Sequence, residues 1–172
     1  MAQQNDSLLS ILPPNAYVMA RRVQEEIPES LPRIFQFKGS PQPALLFVGE
    51  NILEGASAEL LSRMIAPMNA PMNAVAVASI PNLSLLSVET PPWEELSELN
   101  PKIIVLLGLP LAQKMLMLPD PLDVLRGSFH LRHSLKIRVT ESPEELLKTP
   151  AAKRAAWEDL KRVMQELNWK NA

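Results

Sequence analysis

Few side chains in this chain of 172 residues could do covalent or acid–base chemistry. Glu50 directly follows the apolar run Ala44-Leu45-Leu46-Phe47-Val48-Gly49. A carboxylate at the end of a buried strand could act as an acid, a base or a water-positioning group. The plainer reading, a solvated post-strand residue or a helix-capping contact, is preferred. Ser142 has no neighbouring base to make it a nucleophile. With Pro143 after it, it reads as the N-cap of a short helix. His130 and His133 stand three apart in Arg126-Gly127-Ser128-Phe129-His130-Leu131-Arg132-His133. No further ligand has metal-site spacing and the neighbours are basic, so no metal site is expected.

Charge offers a second candidate. The chain carries a formal net charge of −2, which gives no overall field toward nucleic acid or anionic lipid. Residues 124–140 nevertheless contain Arg126, Arg132, Lys136, Arg138 and both histidines, and no acid. Such a patch could meet phosphates, with Phe129 placed to stack or wedge. A strand edge protected by charge explains it equally well. Cysteine is absent altogether, which removes disulfides, thiol nucleophiles, cysteine-ligated zinc and iron–sulfur clusters. Five glycines leave little material for a phosphate-cradling loop.

These residues need elements to position them. Ala44–Val48, Val75–Ile80 and Lys102–Leu107 are continuous apolar runs, the pattern of strands covered on both faces. Leu135, Ile137 and Val139 alternate with Lys136, Arg138 and Thr140 and read as a half-exposed fourth strand. Helical spacing occupies 57–68, with Ser57 as N-cap, then 93–99, 111–116, 142–148 and a final helix opened by Pro150. Glu158 and Arg162 are placed to pair on the outside of that helix. Pro67-Met68-Asn69-Ala70 is repeated at once as Pro71-Met72-Asn73-Ala74, a turn-forming connector. Strands alternating with helices predict a three-layer α/β/α domain over 44–170 with a mostly parallel four-stranded sheet.

Residues 1–43 read as a proline-punctuated lead-in. Leu8, Leu9 and Leu12, with Ile11, form an apolar cluster, and Tyr17 to Ile27 a docking helix. Asn82-Leu83-Ser84-Leu85-Leu86 has the look of a clamp-docking peptide. No secretory leader and no apolar run of membrane length is present, so a cytoplasmic, non-membrane protein is expected.

The landmarks also fall in a familiar order. Val48-Gly49-Glu50, Pro101-Lys102-Ile103-Ile104-Val105-Leu106-Leu107-Gly108, Arg126-Gly127-Ser128-Phe129-His130 and Glu141-Ser142-Pro143-Glu144-Glu145-Leu146-Leu147-Lys148-Thr149-Pro150 are followed by Lys153, Arg154, Trp157, Asp159 and Leu160. Over about residues 44–162 this resembles the uracil-DNA glycosylase superfamily, especially its bacterial iron–sulfur branch. The departures matter as much. The catalytic loop after Glu50 is shortened, and the uracil-reading asparagine has no counterpart near Ala78–Ile80. Ser142 stands where the family has its catalytic histidine, and the cluster cysteines are missing. The resemblance thus implies a glycosylase-like fold without catalytic residues or an iron–sulfur cluster, since Ser142 cannot replace the charge-stabilising imidazole. A shorter resemblance, from Ser142-Pro143 to Trp157, is to the psi-subunit family of bacterial DNA polymerase III. It implies an accessory role in DNA replication or repair. A clamp loader or clamp would dock through Leu8, Leu9, Leu12 and Tyr17, and DNA on Arg126, Phe129, Arg132, His133, Lys136 and Arg138. Two alternatives remain open. One is a divergent nucleobase glycosylase using Glu50 or Asn51 to position water and His130 for the lost histidine; the other is an interaction scaffold without a nucleic-acid role.

Overall fold

The computed structural model describes residues 33–86 and 91–169. The expected docking residues Leu8, Leu9, Leu12 and Tyr17 lie outside this range. The three apolar runs and the alternating segment form four parallel strands: β2 (Leu45–Glu50), β3 (Val75–Ile80), β4 (Ile103–Leu107) and β6 (Leu135–Thr140). Two short antiparallel strands flank them, β1 (Gln36–Gly39) against β3 and β5 (His130–Arg132) against β6. The sheet is therefore six-stranded and mixed, in the order β1-β3-β2-β4-β6-β5, rather than four-stranded. Neither edge strand has an apolar run to announce it. The β5–β6 hairpin turns on His133 and Ser134, both at positive φ (50° and 64°), the two-residue geometry usually marked by Asn-Gly.

Period-two alternation sends the central side chains to opposite faces. Leu45, Phe47, Ile103, Val105 and Leu107 pack with Leu61 of α1 (Gly55–Ile65) and with Leu160, Val163 and Met164 of α6 (Lys153–Leu167). Leu46, Val48, Ile104, Leu106, Ile137 and Val139 pack on the other face. Their partners are Leu96 of α2 (Trp93–Ser97), Leu111 and Met115 of α3 (Leu109–Leu116) and Leu125 of α4 (Leu122–Leu125). Helices on both faces make the three layers. Helix α5 (Pro143–Lys148) starts at Ser142 as expected, its Oγ accepting the Glu145 N–H at 3.1 Å. Helix α1 begins at Gly55, so Ser57 lies inside its first turn and is not its cap. Among the described residues no helix is long and apolar enough to cross a membrane.

Two local features fix the frame. Asn69 and Asn73 of the tandem repeat both adopt left-handed backbone (φ 56° and 60°), so each copy makes its own reversal before β3. The domain also begins ahead of residue 44. The N–H groups of Ile34 and Phe35 donate to the two carboxylate oxygens of Glu95 on α2, at 3.1 and 2.8 Å, and Phe35 is buried. That anchor delivers β1 to the edge of β3, where Gly39 sits at φ 112°. A Cβ there would lie 2.7 Å from the Val75 carbonyl oxygen and 2.9 Å from the Ala76 Cα. Gly39→Ala is expected to lower stability by about 1–3 kcal/mol, read as a drop in denaturation midpoint at unchanged slope.

Candidate functional site

From β2 the chain crosses to β3 on one side, then returns past β2 to β4 and moves on to β6. Connections thus leave β2 and β4 in opposite directions, and the crevice outside their carboxyl ends is where open α/β sheets bind ligands. A cavity of about 400 Å³ lies there. Its lining comes from Glu50 and Ile52 after β2, Leu107 to Leu111 around the end of β4, Glu141 to Glu145 after β6, and Leu83 and Leu122. Gly108, at φ 105°, lets β4 turn into α3 against the start of α5, since a Cβ would meet that of Ser142 at 3.2 Å.

Among the described residues, every polar side chain in this lining is a carboxylate or the Ser142 hydroxyl, and no lysine, arginine or histidine contributes. Glu50 Oε2 accepts the Leu83 N–H at 3.1 Å, and so holds the turn after β3 against the turn after β2. Asn51 takes left-handed backbone (φ 54°), donates its N–H to the Ile80 carbonyl at 3.0 Å and is not among the lining residues. The loop then closes through the buried Ser79 hydroxyl, which accepts the Ile52 N–H at 3.1 Å. Burial holds the Glu141 carboxyl above the ordinary carboxylate range, opposed by the Ser142 N–H and Arg126. Glu50 and Ser142 thus share one cavity, as their places after strands imply. His130 does not join them. It lies on the edge strand β5, with Nε2 2.8 Å from the Leu125 carbonyl oxygen.

The basic residues have other partners. Arg126 donates from Nε and Nη2 to one oxygen of Asp159, at 3.0 and 2.8 Å, and Thr140 Oγ1 donates to the same oxygen at 2.7 Å. Arg138 lies 3.8 Å from the other oxygen, almost fully buried, with Nε unpaired. Burial lowers its pKa against the pull of Asp159, and Arg162 and Arg126 push in the same direction as burial. The Phe129 ring covers Arg138 at 5.0 Å and Lys136 at 5.5 Å, and Lys136 pairs with Glu166. Arg132 donates to the Leu116 and Leu131 carbonyls, at 3.0 and 2.8 Å, and so caps the end of α3. His133 makes the hairpin turn. The fourth strand is therefore not half-exposed: its polar face is covered by α6. On that helix Glu158 pairs with Lys161 at 2.8 Å rather than forming the expected ion pair with Arg162. Sequence reasoning missed Asp159 as a counter-ion. Its signal was an acid on the buried stripe of Ala156, Leu160 and Val163.

No family model matches the chain, and no curated protein matches it.

Asp159→Asn is expected to cost about 3–5 kcal/mol of stability, because it leaves two arginines facing each other without a counter-charge. Glu166→Gln, which breaks only the half-exposed pair with Lys136, should cost less than about 1 kcal/mol in the same denaturation series. Glu141 gives a pH signature. Its raised pKa means that the native state holds this proton more tightly than the unfolded chain does. Its contribution is full below the ordinary value and is lost as pH rises through the raised one. Glu141→Gln should therefore gain on the parent as pH rises above the ordinary glutamate value of about 4.3, and a constant difference would refute the assignment.

Proposed function

We propose that this chain is a non-catalytic accessory protein of DNA replication or repair, built on a uracil-DNA-glycosylase-like frame. The observation that carries the reading is the composition of the switch-point cavity. Base excision needs a site that stabilises a departing nucleobase anion. Here Glu50, Glu141, Glu144 and Glu145 ring the cavity and, among the described residues, no cationic side chain lines it, which disfavours an anion. Ser142 stands where the resemblance puts a histidine, and its hydroxyl is engaged by the Glu145 N–H. Glu50 is engaged by the Leu83 N–H. The segments that carry the resemblance lie at the ends of core elements: Val48-Gly49-Glu50 ends β2, Lys102–Gly108 spans β4, and Ser142-Pro143 opens α5.

In this reading the partner is a replication or repair protein, a clamp loader or clamp, and it docks on the lead-in through Leu8, Leu9, Leu12 and Tyr17. Phosphate contacts fall to Arg132, His133 and Lys136, because Arg126 and Arg138 are drawn onto Asp159. Two measurements on the full chain test it. Strands containing uracil or hypoxanthine should remain intact, and robust excision abolished by Glu50→Gln would overturn the non-catalytic reading. Purified clamp loader and clamp should each be titrated; one is expected to bind, with affinity falling at least about tenfold when Leu8, Leu9 and Leu12 become serine. Unchanged affinity would remove the lead-in as the docking segment.

A further inference from the structure

We infer that the cavity outside β2, β4 and β6 binds an alkylguanidinium group: a planar cation carried on a hydrocarbon stem. The inference rests on reading this cavity as a binding rather than a catalytic site, and it adds the class of ligand. Three observations converge on it. The cavity is about 400 Å³, within the size range of small-ligand pockets. Its lining is divided in character, with Ile52, Leu107, Leu109 and Leu122 giving an apolar part and carboxylates the rest. The third concerns how those carboxylates are engaged.

Glu144 and Glu145 have local roles in the first turn of α5, and Glu144 also lies 3.9 Å from Lys148. Glu50 and Glu141 are different. Glu50 accepts one backbone N–H, from Leu83, the nearby Ser142 N–H favours the charged form of Glu141, and neither carboxylate has an ion-pair partner among the described residues. They flank the cavity from the ends of β2 and β6, with β4 between. Among the described residues no three acidic or histidine groups stand close enough to hold a metal ion. A divalent cation would need such a convergent oxygen cage. An extended cation that presents several donors suits separated carboxylates better. Guanidinium is also more weakly hydrated than ammonium, so it loses less on entering beside leucine side chains, and its fork matches a carboxylate. The stem covers the apolar part of the lining. Anions are repelled, and a neutral apolar ligand would leave the two carboxylates unanswered.

The group could arrive as a free small molecule or as an arginine side chain on a partner protein. Calorimetry on the full chain would use n-butylguanidinium, the blocked tripeptide Leu-Arg-Leu, and pentanoate as the anionic control of similar length. Saturable binding of a guanidinium probe is expected, with pentanoate silent. A tighter tripeptide assigns the site to a partner's arginine, and a tighter n-butylguanidinium to a free ligand; both sustain the inference. Glu50→Gln with Glu141→Gln keeps the backbone acceptors and should weaken binding by at least about tenfold. Absence of binding by both guanidinium probes, equal binding of pentanoate, or unchanged affinity in a double variant that melts as the parent does would each overturn it. A protein that fails these tests but leaves uracil strands intact loses only the ligand assignment. One that excises uracil loses the non-catalytic reading instead.

Discussion

One buried carboxylate joins the end of the chain to the sheet. Asp159 takes hydrogen bonds from Arg126 after α4 and Thr140 at the end of β6, and faces Arg138 on β6. A helix held by apolar packing alone could slide by a turn over a surface of leucine and valine. The pairing of Asp159 with three fixed polar groups allows one position. Desolvating these charges takes back much of the attraction between them, so the network adds more to uniqueness than to net stability. The unpaired Nε of Arg138 shows the same tension: the guanidinium is held by packing under Phe129 as much as by its counter-ion.

The distribution of charge across the domain follows from that arrangement. Basic residues that the sequence presents as one patch are divided among Asp159, the Leu116 carbonyl at the end of α3, and Glu166 on α6. The carboxylates at the end of β2 and after β6 have no ion-pair partner among the described residues. One residue separates the two regimes. Thr140 turns toward α6 and donates to Asp159, while Glu141 lines the cavity and feels Arg126 only as a minor opposing influence on its proton.

Three of the four parallel strands were legible because burial on both faces demands continuous apolar runs, and the fourth because Leu135, Ile137 and Val139 alternate with polar residues. The edge strands were not, because pairing on one side requires neither hydrophobicity nor length. Gln36–Gly39 has one large apolar residue and His130–Arg132 one, and their places come from backbone hydrogen bonds with β3 and β6. Glu50 and Ser142 could be placed at one rim from their positions after strands. Arg138 and Thr140 could not be placed inside, because an alternating strand normally turns its polar face to water. The acid that reverses this expectation lies nineteen positions beyond Thr140, on another element.

The residues at the rim of a cavity decide what its shape can hold. A glycosylase pocket must serve two charges at once, a sugar becoming cationic and a base leaving as an anion. Carboxylates alone could favour only the first. Under the proposed glycosylase-like reading, Ser142 takes the imidazole position and no cation among the described residues lines the cavity, so the anionic half of the chemistry has no support. The crevice itself persists for a separate reason. It is set by the reversal of connections between β2 and β4, and Gly108 and the capped start of α5 hold it open whether or not anything reacts there. The cavity is therefore set by the sheet order, while the residues at its rim decide what it can hold.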